Sequence, residues 1–185
     1  MNALRSVCVF CGSRPGARES YARAARDCGR MIAGRGWRLV YGAGDVGLMG
    51  EVARAAMAEG GTTMGVIPTH LMGREQGRRD LSQLVITENM HERKKVMFMN
   101  SDVIVVLPGG AGSLDEFFEV LTWRQIGLHA KPILLLDTDG YWQPLAGLID
   151  HVIAESFAAE DLRSFFSLVP DVAALEAALA GTLAG

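Results

Sequence analysis

The sequence has few cysteines, no long apolar run and no excess of basic charge, and each lack removes a class of function. Its three cysteines, Cys8, Cys11 and Cys28, are an odd number and do not make a disulfide framework. Cys8 and Cys11 stand three apart in an apolar stretch of strand character, where such positions point to opposite faces, and no second pair recurs at metal-ligand spacing. His70, His91, His129 and His151 also lack a ligand partner at such spacing. No metal, redox group or other cofactor is expected. Nowhere do about 18 apolar residues follow one another. Residues 1–12 carry neither a secretory apolar region nor a cleavage pattern, so a cytoplasmic protein without a membrane segment is expected. A formal net charge of −3 lacks the basic excess of a general nucleic-acid binder. With no repeat, linker or low-complexity tract, residues 1–185 read as one domain, long enough to bury about 70% of its unfolded surface.

What is present is an alternation of short apolar, β-branched runs with longer amphipathic or Ala-rich stretches. Strands are expected at 7–11, 37–41, 62–67, 84–87, 103–107, 133–136 and 165–169. Helices are expected at 19–33, in an Ala-rich stretch ending at Glu59, and at 91–100, 113–127 and 142–154, with a last helix capped by Asp171 and ending near Gly181. Such alternation predicts an α/β fold of three layers with a parallel sheet and right-handed crossovers. Ligands of open parallel sheets sit outside the carboxyl ends of the strands, which brings the loops at 12–16, 42–47, 73–82 and 108–112 to one edge.

The most informative loop follows the run Val103 to Leu107. Pro108 is succeeded by Gly109, Gly110, Ala111, Gly112 and Ser113, and then by a helix carrying Leu114, Asp115, Glu116 and Glu119. Glycines allow close backbone approach, and the amides at a helix N-terminus favour an anion such as phosphate. The plainer reading is a tight turn whose acids complement the helix dipole. Gly42, Gly44 and Gly47 match the dinucleotide fingerprint formally. They follow the second strand, however, and Ile67 and Pro68 stand where the ribose-binding acid would be. This loop is therefore read as a second phosphate cradle and not as an NAD site. The irregular stretch 73–82, with Arg74, Glu75, Arg78 and Arg79, is long for a compact domain and is a further functional candidate.

In the segment Asn89-Met90-His91-Glu92-Arg93-Lys94-Lys95, Asn89 is a helix cap and Glu92 reaches back to complete a capping box. By the 100° period, Arg93 points with Met90, Val96 and Met97, whereas Lys95 suits a solvated face. An inward arginine fits a phosphate or carboxylate ligand, or else a structural ion pair. Glu116 falls between Val120 and Trp123, one turn into a helix whose Phe117, Phe118, Leu121 and Leu128 make it apolar over most of its circumference. Such a helix packs on the sheet and on a partner subunit. A carboxylate in that company, beside the glycine loop, is a candidate for acid–base or charge-stabilising work.

Met90-His91-Glu92-Arg93-Lys94 and Pro108-Gly109-Gly110-Ala111-Gly112-Ser113-Leu114-Asp115-Glu116 resemble the M-H-x-R-K and P-G-G-x-G-T-x-x-E signatures of the LONELY GUY (LOG) family. These are cytokinin riboside 5′-monophosphate phosphoribohydrolases, formerly labelled lysine decarboxylases. The resemblance extends from residues 9–13 through Tyr41-Gly42 and Gly47-Leu48-Met49-Gly50 to Leu121-Thr122-Trp123 and Asp139-Gly140-Tyr141. It implies a Rossmann-like homodimer that hydrolyses the N-glycosidic bond of an AMP-type nucleoside 5′-monophosphate. It also implies a catalytic pair in Arg93 and Glu116, and substrate contacts at Glu75, Lys94, residues 110–115 and Thr122. Ser113 replaces the usual threonine, Asp115 a glutamate, and Ala43 a common glycine, which matters if that position needs a positive φ. Rival readings are a plain AMP nucleosidase, a nucleotide carrier that does not turn over, and a pyridoxal-dependent decarboxylase, for which Lys94, Lys95 and Lys131 show no cofactor pattern.

Overall fold

Seven parallel strands form one sheet in a computed structural model that describes residues 4–72 and 80–183. The strands are β1 (Ser6–Phe10), β2 (Arg38–Tyr41), β3 (Thr63–Pro68), β4 (Gln83–Thr87), β5 (Val103–Val106), β6 (Ile133–Leu136) and β7 (Ser167–Val169). Their order is β4-β3-β2-β1-β5-β6-β7, with β1 and β5 in register from Val7 opposite Val103 to Phe10 opposite Val106. The chain thus builds outward from β1 to one side, returns, and builds outward from β5 to the other. The crevice between β1 and β5 is the topological switch point, where open α/β sheets bind ligands.

The helices are α1 (Glu19–Gly34), α2 (Gly47–Ala58), α3 (Met90–Met99), α4 (Ala111–Gln125), α5 (Gln143–Ala154) and α6 (Val172–Leu183). Side-chain alternation along the strands divides the core into two layers. Val7, Val9, Cys11, Leu39, Tyr41, Val105 and Leu107 face α1, α2 and α6. Cys8, Phe10, Val40, Val66, Ile104 and Val106 face α3, α4 and α5. Cys8 and Cys11 therefore lie in different layers, as their spacing predicts, and all three cysteines are free and buried.

Local chemistry sets the helix ends. Asn89 accepts the Glu92 N–H at 3.0 Å, while the Glu92 carboxylate accepts from Glu88 N–H at 2.9 Å, one residue before the reciprocal partner expected of a capping box. Asp171 caps α6 through the Ala174 N–H at 2.8 Å. Two element starts differ from expectation by two residues. The helix α4 starts at Ala111, two residues early, because Gly112 adopts helical backbone; and Phe165 closes a short 3-10 segment, so the edge strand begins at Ser167.

Candidate active site

A cavity of about 690 Å³ opens at the switch point, a size ordinary for small-ligand sites. The loop after β1 and the loop after β5 form two of its walls and are tied together, since the Gly12 N–H donates to Pro108 O at 3.0 Å. Gly109 is required by this approach: a Cβ there would stand 2.0 Å from the Ser113 hydroxyl oxygen and 2.9 Å from Gly12 N. Gly110 and Gly112 have a different reason. An added Cβ at either meets nothing within 4 Å, and both line the cavity, so their side is open to whatever occupies it. Gly110 is the N-cap of α4 and supplies no side-chain cap. The amides at the start of α4, from the N-cap Gly110 to Ser113, thus open on the cavity with the positive end of the helix dipole behind them. That is the arrangement of an anion site.

The second glycine loop is built otherwise. At the start of α2 the Leu48 and Met49 N–H groups donate to Gly12 O at 3.0 and 3.4 Å, so another part of the chain already satisfies the donors a phosphate would use. Gly47, at φ +59°, lies so close to the first loop that a Cβ would be 2.3 Å from the Ser13 carbonyl carbon. Neither Gly44 nor Gly47 lines the cavity. The expected second phosphate cradle is instead a docking surface for the first loop, and the glycine spacing reflects backbone packing. Gly42 does line the cavity, because its carbonyl receives Arg93.

Arg93 is 5% exposed and points inward, as its helical position predicts. Its Nε donates to Val66 O at 3.1 Å and its Nη2 to Gly42 O at 2.7 Å, bracing the ends of β3 and β2, while Nη1 faces the Met90 sulfur at 3.7 Å. A Cβ at Gly42 would fall 2.0 Å from Nη2. Ala43, next along, has φ +59°, so the position that matters for a glycine does need a positive φ and an alanine holds it under strain. Glu116 lines the same cavity from α4. Burial pushes the Cys11 thiol well up, the Glu116 carboxylate adds to the rise and Arg93 opposes it, so both charges are felt at this one strand end.

The other expected positions separate. Lys94 is buried, but its Nζ lies 2.8 Å from Asp115 and 3.2 Å from Glu119, tying α3 to α4. Neither Lys94, Asp115, Leu114 nor Thr122 lines the cavity within this chain. Glu75 lies outside the described residues. Pattern reasoning did not single out Tyr21, Met90 or Leu71 as lining residues. Leu71 carries no signal that distinguishes it from core, whereas Met90 opens the M-H-x-R-K signature and shares the face of Arg93. Tyr21 had one, a polar-tipped ring in the first turn of a helix that starts at the carboxyl edge.

The family model described as "Possible lysine decarboxylase" matches residues 49–179. The probable cytokinin riboside 5′-monophosphate phosphoribohydrolase LOGL9 of Oryza sativa subsp. japonica is 46% identical over 93% of this chain and 76% of its own. The cytokinin riboside 5′-monophosphate phosphoribohydrolase of Rhodococcoides fascians is 43% identical over 95% of this chain and 89% of its own. Among solved structures, the molybdenum cofactor carrier protein of Chlamydomonas reinhardtii matches with a TM-score of 0.76 over 98% of this chain and 99% of that one, at 24% identity, a likeness of fold alone. A family match over most of the chain, and relatives of this identity over nearly all of it, make the chain a member of the LONELY GUY (LOG) family.

Proposed function

We propose that this chain hydrolyses the N-glycosidic bond of cytokinin riboside 5′-monophosphates, releasing the free base and ribose 5-phosphate. One observation carries the reading: the uncapped first turn of α4 opens on the same cavity as Arg93 and Glu116. Phosphate bound by the amides of residues 110–113 places the ribose near the next turn of α4, where Glu116 projects. Breaking the C1′–N bond builds positive charge on the ribose, and a carboxylate there stabilises the oxocarbenium-like transition state and orients the attacking water. Arg93, held by two carbonyls, fixes the opposite wall and supplies a fixed cation to the site. The apolar lining from Leu48, Met49, Leu71 and Met90 suits a base carrying an apolar N6 substituent.

The active form in this reading is a homodimer in the cytoplasm. Phe118, Ile126 and Leu128 at α4, with Met99 at the end of α3, are exposed and apolar, which supports a second copy packing on this side. Among the described residues no helix is long and apolar enough to cross a membrane.

The test is to incubate the pure protein, without added cofactor, with AMP and with N6-isopentenyladenosine 5′-monophosphate, and to quantify free base and ribose 5-phosphate. Release from the N6-substituted nucleotide with the higher kcat/KM is the expected result. Faster release from AMP would make the chain a general nucleosidase, and binding of both without cleavage would make it a carrier.

A further inference from the structure

We infer that Tyr141 is a positioning residue that holds the phosphate-binding loop in its binding orientation. The inference rests on the phosphate reading of residues 110–113 and goes beyond it, to a residue contributed by a different strand end. Tyr141 follows β6 and lines the cavity. Its hydroxyl donates to the carbonyl of Gly109 at 2.6 Å.

The Gly109 carbonyl and the Gly110 N–H are two ends of one planar trans peptide unit, so they point in opposite directions and holding one fixes the other. That unit is flanked by glycines on both sides, which makes it the easiest in the loop to rotate. A half-turn of its plane exchanges the two groups and presents a carbonyl oxygen where a phosphate needs a donor. The Tyr141 hydroxyl opposes that rotation directly. It keeps the Gly110 amide in one orientation before substrate arrives.

The surroundings of Tyr141 are built to hold the ring in place. Asp139 and Gly140 take left-handed backbone, at φ +55° and +72°, turning the chain back toward the loop. The Asp139 carboxylate accepts from the Ser20 hydroxyl at 2.6 Å and lies 3.5 Å from Arg18, and the Asp137 carboxylate accepts the Trp142 N–H at 2.6 Å. The ring packs edge-on against Tyr21 at 5.5 Å and against Trp142 at 4.8 Å. Tyr21 in turn lies against Gly16 of the first loop, where a Cβ would come within 2.8 Å of its ring. The tether thus has its footing in α1 and acts on the loop after β5.

The test is Tyr141→Phe, which keeps the ring and its two edge contacts and removes only the hydroxyl. The expected result is a KM for N6-isopentenyladenosine 5′-monophosphate raised about 5- to 10-fold with kcat changed less than about two-fold, the size expected for one neutral hydrogen bond. The inhibition constant of ribose 5-phosphate rises in the same proportion, while that of the free base stays put. A loosened cavity wall would weaken both ligands, so equal losses overturn the inference, as does an unchanged KM. A Y141F protein that fails to fold also overturns it, because the hydroxyl would then hold the fold and not the loop. Wild-type turnover separates the two proposals: without it the phosphoribohydrolase reading fails, and with it an unaltered Y141F sinks only the role of Tyr141.

Discussion

Replacing Gly112 by alanine moves stability and activity in opposite directions. Gly112 is in the first turn of α4, its φ is not positive, and an added Cβ meets no atom within 4 Å. Alanine is the better helix former by roughly 0.5–1 kcal/mol in a helix interior, and somewhat less in a first turn. For a chain of 185 residues, ~0.5 kcal/mol is a rise in Tm of about 1–2 °C. The Cα–Cβ bond of a helical residue tilts toward the helix N-terminus, so the new methyl points into the space in which the bound phosphate sits. Displacing one charge-assisted amide–phosphate bond, worth about 1.5–3 kcal/mol, lowers kcat/KM roughly 10- to 100-fold. Thermal melting together with steady-state hydrolysis of N6-isopentenyladenosine 5′-monophosphate reads both effects. A variant that melts at or above wild type and hydrolyses at the wild-type rate would refute the anion site at α4.

Three further outcomes are expected. Glu116→Gln retains nucleotide binding by calorimetry but loses about 10²- to 10⁴-fold in kcat, the range of a positioned catalytic carboxyl; an undiminished rate removes its assigned role. Lys94→Met leaves Glu119 and Asp115 facing each other without their cation, and costs about 1–3 kcal/mol in a urea titration, the exposed Asp115 being screened by solvent; a wild-type midpoint would mean that the pair contributes nothing. His129 accepts the Lys131 N–H at Nδ1 and so donates from Nε2 to Val120 O. Burial holds its imidazole below the ordinary histidine value, with the Arg124 and Lys131 charges adding to the fall against the Val120 bond. A depressed histidine favours the neutral form in the folded state, so its contribution is complete above about pH 6.5 and is lost as pH falls below that value. Urea midpoints should decline from pH 7.5 to 5.5 in wild type and less steeply in His129→Gln, and equal slopes would exclude the effect.

The sheet was legible because strands buried on both faces are continuous apolar runs, as in Val103 to Val106, and helices between them force parallel pairing. The inward turn of Arg93 was legible because helical periodicity alone sets it. What the pattern does not carry are relations between segments distant in sequence. The loops at 42–47 and 109–113 look alike as strings of glycine, and they differ because Gly12 O occupies the amides at the start of α2 and no side chain caps α4. Lys94 has the same position relative to the apolar stripe whether or not Asp115 and Glu119 stand on a neighbouring helix. Tyr141 reaches Gly109 across 32 residues of chain, through a turn whose left-handed Asp139 no composition rule announces.

The floor of the cavity is drawn from both layers of the core, with Val9, Cys11 and Leu48 from one and Phe10 and Met97 from the other. An occupant therefore touches both layers at once and acts as a keystone for them. By mass action a ligand at a hundred times its Kd adds about 2.7 kcal/mol to the folded state. Slowed amide exchange should then spread to α1 and α2 on one side and to α3 and α4 on the other.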